Sequence, residues 1–218
     1  MAINVYFVRH GQTFFNKYHR MQGWSDTPLT TKGKQDAAHA GQILAPIAFD
    51  YVFASDLKRT MDTARILLAH HPTTISEPTP APAFREEFFG YFEGLNSQET
   101  GVFVSGNDDL NSFEAMISAY GPDGTRDKIA AADTTQDAED STAFWQRVLP
   151  GIEKLRALPD GSNVLVVSHG MTIRSLGSRF GTKPEHTAQP ANGSITKMQL
   201  TPTDTTIEFY SQLALPTA

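Results

Sequence analysis

Apolar positions along the chain recur with two different periods, and the two kinds of segment alternate. Residues 3–8, "INVYFV", form a short, nearly unbroken apolar run of the kind that reads as a buried strand. Residues 26–47, "DTPLTTKGKQDAAHAGQILAPI", instead bring Ala37, Ala40, Ile43 and Leu44 round at helical spacing. Thr30 or Thr31 can cap that helix and Pro46 closes it. Residues 49–55 give a second strand. Residues 56–71 give a second helix, with Asp56 or Ser55 as cap, Met61, Ala64, Leu67 and Leu68 as its inner face, and Pro72 as its stop. Residues 74–76 allow a short strand before a loop. The stretch "FREEFFGYFEG", 84–94, is punctuated by glycine and reads as a turn-rich loop or a broken short helix. Residues 95–136 carry the weakest period and are expected to form an irregular or helical excursion over the core. A helix over 137–158 follows, with Phe144, Val148, Ile152 and Leu155 as its stripe and Pro150 as a site for a bend. A strand at 163–170, a short helix at 171–181 and two adjacent strands at 193–201 and 205–213 complete the chain.

This alternation predicts an α/β fold whose mostly parallel sheet is covered by helices on both faces. With 218 residues, one hydrophobic core and a single domain over 1–218 are expected, the stretch at about 95–136 being its variable part. The net charge of -6 argues against a nucleic-acid binder, which carries a basic stripe, yet leaves room for a small positive pocket. The chain has no cysteine, so disulfides, thiolate zinc sites and cysteine nucleophiles drop out. The opening "MAINVYFVRHG" does not read as a secretory signal, and no segment approaches 18 apolar residues; the expectation is a cytoplasmic protein with no membrane partner. Oligomer formation is possible, through an edge strand in the final hairpin, but nothing requires it.

Candidate chemistry sits where two strands end. "VRHGQT" at 8–13 follows "VYFV", and "VSHGMT" at 167–172 follows "VLVV". Ligands of open α/β sheets bind beyond the carboxyl ends of the strands. If these two strands are neighbours, His10 and His169 face each other across one pocket. Arg9 abuts His10, and Arg59 lies early in the helix after the second strand, where free amides and a guanidinium fork suit phosphate oxygens. Asn16, Gln22 and Gly23 can add polar contacts. A neutral imidazole nitrogen is a competent nucleophile toward phosphorus, the cationic donors stabilise the transferred group, and the leaving alkoxide needs a carboxylic acid. Glu86, Glu87 and Glu93 are the acids at hand, and composition does not choose among them.

With these residues in place the chain resembles the histidine phosphatase superfamily, in its phosphoglycerate-mutase-like group. The resemblance rests on "FVRHGQT" at 7–13, Asn16, "QGWSDTPLTTKG" at 22–33, "ASDLKRTMDTA" at 54–64, "FREEFFGYFEG" at 84–94, "VVSHGMTIR" at 166–174 and "ANGSITKMQL" at 191–200, in order over nearly the whole chain. It implies a three-layer α/β/α sandwich, a small phosphorylated metabolite as substrate, and no metal or other cofactor. It implies His10 as the residue that becomes phosphorylated. Arg9, Arg59 and His169 then line the phosphate pocket, joined by Asn16. Glu86, four residues before Gly90, is implied as proton donor, with Glu87 as second choice. Mutases of this family carry a basic stretch after the glutamate loop for the substrate carboxylate, whereas residues 93–123 here contain no lysine or arginine. The expectation is therefore a phosphatase acting on small phosphomonoesters, with a cofactor-dependent phosphoglycerate mutase as the alternative. A non-catalytic protein that binds phosphorylated ligands is the third reading.

Overall fold

The computed structural model describes residues 2–216. Strand β1 (Ile3–Arg9) leads through α1 (Phe14–Lys17) to α2 (Thr31–Leu44), β2 (Tyr51–Ala54), α3 (Lys58–Ala69) and β3 (Thr79–Pro80). Then come α4 (Ser97–Ser105), α5 (Phe113–Ala132), α6 (Ser141–Arg156), β4 (Asn163–Ser168), α7 (Gly170–Phe180), β5 (Ile195–Leu200) and β6 (Thr205–Gln212). The six strands form one sheet in the order β3-β2-β4-β1-β5-β6. The first four of these run parallel to one another, while β5 pairs antiparallel with β1 on one side and β6 on the other, so the sheet is mixed but mostly parallel.

Side chains alternate between the two faces of a strand, and both faces here are covered. Val5 and Phe7 of β1, with Val164 and Val166 of β4, pack on Phe144, Val148 and Ile152 of α6 and Leu176 of α7. Tyr6 and Val8, with Leu165 and Val167, pack on Ala40 and Leu44 of α2 and Leu67 and Leu68 of α3. That double burial is why the central strands read as unbroken apolar runs, and it makes the three layers expected from the sequence. A smaller cluster of Met21, Phe89, Phe92 and Ile129 sits under the excursion. Among the described residues no helix is long and apolar enough to cross a membrane.

Several local expectations need correction. Residues 74–76 are not a strand; the two-residue edge strand β3 lies at Thr79–Pro80, pairing with Phe53 and Ala54. Thr30 caps α2 as expected, accepting from the Gly33 amide. Helix α3, by contrast, is capped by neither Asp56 nor Ser55. Asp56 is taken by Arg85 and Ser55 by His169, and the carboxylate of Asp26 receives the amides of Lys58 and Arg59 instead. Helix α6 starts at Ser141 under an Asp140 cap and continues through Pro150. The weakly patterned excursion is helical. Helix α5 breaks at Gly121 (φ 69°, ψ 172°), just before Pro122, so its two halves point different stripes at the core and no single period spans them.

Candidate active site

The register of the two central strands builds the site. Arg9 at the end of β1 pairs with Ser168 at the end of β4, so the next residues, His10 and His169, leave the sheet side by side. Their ring centroids lie 5.3 Å apart, nearly edge to face. The loop after His10 is pressed onto the start of α2: a Cβ on Gly11 would lie 2.0 Å from the Gly33 carbonyl oxygen, so only glycine fits.

Hydrogen-bond partners fix both tautomers. Nδ1 of His10 lies 2.8 Å from the Gly11 carbonyl, which can only accept, so Nδ1 carries the proton and Nε2 keeps a bare lone pair. Arg59 Nε donates toward that Nε2 at 3.4 Å. In His169 the roles reverse: Nδ1 accepts from Arg59 Nη2 at 2.9 Å, leaving Nε2 to donate to Ser55 Oγ at 2.8 Å. Burial, then the neighbouring Arg59, holds both imidazoles well below the usual value of 6.5, so both rings are neutral. Arg59, 1% exposed, is saturated: Asp26 and the carbonyls of Ser25 and Gly23 take its remaining donors at 2.8, 3.0 and 2.6 Å. Arg9 is different. Its Nη1 donates to the Pro190 carbonyl at 2.6 Å, but its buried Nε has no partner, and burial lowers its pKa to about 10.

The three candidate acids separate by their partners. Glu86 accepts from the Met171 amide at 2.9 Å, from the Thr172 amide and hydroxyl at 3.0 and 3.1 Å, and from the Glu87 amide at 3.2 Å. It can do so because α7 begins at His169 without a side-chain cap, leaving its first amides and the favourable end of the helix field to the carboxylate. Glu87 faces inward onto Arg126 Nε at 2.7 Å. Glu93 gathers the amides of Gly23, Trp24, Ser25 and Phe89 and the Ser25 hydroxyl, stitching two loops together. Of the three, Glu86 alone lines the cleft of about 490 Å³ above His10.

A family model for the histidine phosphatase superfamily (branch 1) matches residues 5–212. The chain belongs to the histidine phosphatase superfamily. Curated relatives include the 2,3-bisphosphoglycerate-dependent phosphoglycerate mutase 2 of Gloeobacter violaceus, 31% identical over 81% of this chain and 74% of that one. The 2,3-bisphosphoglycerate-dependent phosphoglycerate mutase of Cytophaga hutchinsonii is 35% identical over 78% of this chain and 73% of that protein. Among solved structures, the phosphoglycerate mutase of Bacillus anthracis str. Sterne superposes with a TM-score of 0.89 at 31% identity, covering 97% of this chain and 94% of that one. Membership in the histidine phosphatase superfamily brings a phosphohistidine-type mechanism on small phosphorylated metabolites.

Set in that family, the residues singled out by sequence fall into two layers. Arg9, His10, Asn16, Gln22 and Glu86 line the cleft. Arg59, His169 and Gly23 do not; they form the layer that holds His10 from behind, because their polar atoms are used up on one another and on Asp26, Ser55 and Glu93. Sequence reasoning missed Asn192, whose Nδ2 donates to the His10 carbonyl at 2.9 Å. It also missed the rim: Gln12, His19, Arg20, Ser97, Gln98, Glu114 and Gln189 all border the cleft. Asn192 lay within a quoted motif, whereas the rim comes from loops and from the excursion, where no pattern marks a site.

Proposed function

We propose that the protein transfers the phosphoryl group of a small phosphomonoester through Nε2 of His10. The observation that carries this reading is the unprotonated Nε2 of a neutral, buried imidazole, which accepts only a long hydrogen bond from Arg59, together with an Arg9 Nε that is buried and unpartnered. An orphaned buried donor costs about 1–3 kcal/mol, a cost that a phosphate oxygen would relieve. In the first step Nε2 attacks phosphorus, the P–O ester bond breaks as the P–N bond forms, and protonated Glu86 gives its proton to the leaving alkoxide. In the second, Glu86 takes the proton of an acceptor hydroxyl whose oxygen displaces His10. Arg9 directly, and Arg59 and His169 through their positions behind His10, stabilise the charge on the equatorial oxygens.

Two acceptors are compatible with this scheme, and the comparisons favour a mutase. The named relatives at 31–35% identity are phosphoglycerate mutases. The sequence expectation of water as acceptor rested on the missing cations of residues 93–123. The fold, however, supplies Arg20 and His19 to the cleft from the loop after α1. Hydrolysis remains the second reading because Glu114 adds a negative charge to the same rim. Incubation with 3-phosphoglycerate and a trace of the 2,3-bisphosphorylated primer separates them: 2-phosphoglycerate marks the mutase, and inorganic phosphate as sole product marks the phosphatase. His10→Ala should abolish turnover and any acid-labile phosphoprotein. Substantial residual turnover in that variant would reject the whole reading.

A further inference from the structure

The turn at residues 190–194, ahead of β5, wraps the backbone of Arg9 and His10. Arg9 N donates to the Ser194 carbonyl at 3.2 Å, Gly193 N to the Arg9 carbonyl at 2.9 Å, and Arg9 Nη1 to the Pro190 carbonyl at 2.6 Å. The turn is anchored from β6, where Ser211 stands in the left-handed region at φ 51°. Its Oγ accepts from the Ala191 amide at 3.1 Å and donates to Ser194 Oγ at 3.2 Å, while its own amide donates to Thr196 Oγ1 at 3.0 Å. A left-handed non-glycine residue persists where its surroundings over-determine it, and here three hydrogen bonds do so.

Asn192 is the member of this turn that reaches His10 with its side chain. A carbonyl can only accept, so the atom facing the His10 carbonyl at 2.9 Å is Nδ2. That bond, with the one from His10 N to the Ser168 carbonyl at 2.9 Å, fixes the peptide planes on both sides of His10. The plane that Asn192 holds leads directly to Gly11, whose carbonyl faces Nδ1 of the His10 ring. The same Nδ2 of Asn192 lies 3.4 Å from Oδ1 of Asn16. That oxygen also accepts from the Thr13 amide at 3.2 Å, so two donors fix the sense of the Asn16 amide. Among the described residues Nδ2 of Asn16 meets no acceptor, and Asn16 borders the cleft.

We propose that Asn192 is a positioning residue that serves His10 and Asn16 at once. Through the His10–Gly11 peptide it aims Nε2 of His10 at phosphorus. Through Oδ1 of Asn16 it turns the Asn16 Nδ2 donor toward the oxygens of the phosphoryl group. Asn192 acts through these two residues and touches none of the reacting atoms. The assignment rests on phosphoryl transfer at His10 and adds to it a residue that prepares the site before substrate arrives.

The test measures phosphoenzyme formation from p-nitrophenyl phosphate by rapid quench; this aryl leaving group needs no proton, so Glu86 does not enter. Asn192→Leu, which keeps the shape and removes the donor, should lower the saturating rate about tenfold, the scale of one lost hydrogen bond at the nucleophile. It should also raise the half-saturating concentration about threefold, through a misturned Asn16. In an Asn16→Ala background the effect on the rate should persist, while the effect on the half-saturating concentration should vanish. Asn192→Ala should behave like Asn192→Leu. Recovery of the parent rate by leucine would mean that the side chain only fills space, and would overturn the proposal. So would an effect on the half-saturating concentration that survives in the Asn16→Ala background. A phosphohistidine that forms in the parent protein, and at an unchanged rate in Asn192→Leu, rejects the positioning role alone. Absence of any phosphohistidine in the parent rejects the reading at His10; calorimetric binding of inorganic phosphate to the same variants then decides the link to Asn16 by the same loss of affinity.

Discussion

Replacing Arg126 by methionine isolates the buried support of the acid loop. The guanidinium is fully buried, donates to Glu87, Asp123 and Ser175 at 2.7 Å each, and lies 3.8 Å from the centroid of the Phe144 ring. Methionine keeps the apolar stem and removes the charge. Burial already pushes the Glu87 carboxyl up to about 7 against the pull of Arg126, and one of its oxygens has no partner. A buried ion stripped of its partner costs about 3–5 kcal/mol, but a carboxylate can escape by taking a proton. At pH 8 taking that proton costs about 1.4 kcal/mol against a parent value of about 7, so the variant should lose about 2–4 kcal/mol. At pH 6 Glu87 is protonated, and the loss should shrink to the missing hydrogen bonds, about 1–3 kcal/mol. The sign in the parent protein follows the same logic. The folded-state value lies above the ordinary 4.5, so the contribution of Glu87 to stability is complete below 4.5 and falls away as pH rises through about 7. Urea unfolding at the two pH values, with an unchanged m-value, reads the difference, and adding Glu87→Gln should recover part of the loss at pH 8. A destabilisation independent of pH, or below about 1 kcal/mol throughout, would refute this account of the pair.

Two other outcomes bear on the chemistry. Glu86→Gln should slow alkyl phosphates about a hundredfold more than aryl phosphates, whose leaving groups need no proton, in parallel steady-state assays; an equal drop on both would make Glu86 a structural anchor of α7. Because burial and Arg59 hold His10 well below 6.5, its nucleophilic form is present above that lowered value and is lost only as pH falls through it. Rapid-quench phosphoenzyme formation should accordingly show its acid limb below 6.5, and a limb at or above that value would contradict the neutral ring.

What could be read from the chain was what is local. His10 and His169 were legible because each ends a strand whose apolar run announces it. The cap of α2 was legible to within one residue, Thr30 or Thr31, because a cap and the amide it accepts from lie only three residues apart. Glu86 could not be told from Glu87 and Glu93 without a resemblance. The choice depends on Arg126, on the first amides of α7 and on a loop at residues 22–25, all remote in sequence. The cap of α3 escaped for the same reason, since Asp26 reaches it across 32 residues while the adjacent Asp56 and Ser55 serve elsewhere. Helix α5 hid behind its own break at Gly121, and with it went Glu114 on the cleft rim.

The placing of β1 has a consequence for biosynthesis. Its residue Asn4 is paired with Asn163, and its other neighbour, β5, starts only at Ile195. At about 5–20 residues per second, a ribosome takes on the order of 10–30 s to make the partner of the first strand it released. Until then "VYFV" is an apolar ribbon with no neighbours on either side. The slow, long-range closure of that gap is where a nascent chain is most open to aggregation, and a chain cut short before β4 carries His10 without the strand that sets His169 beside it.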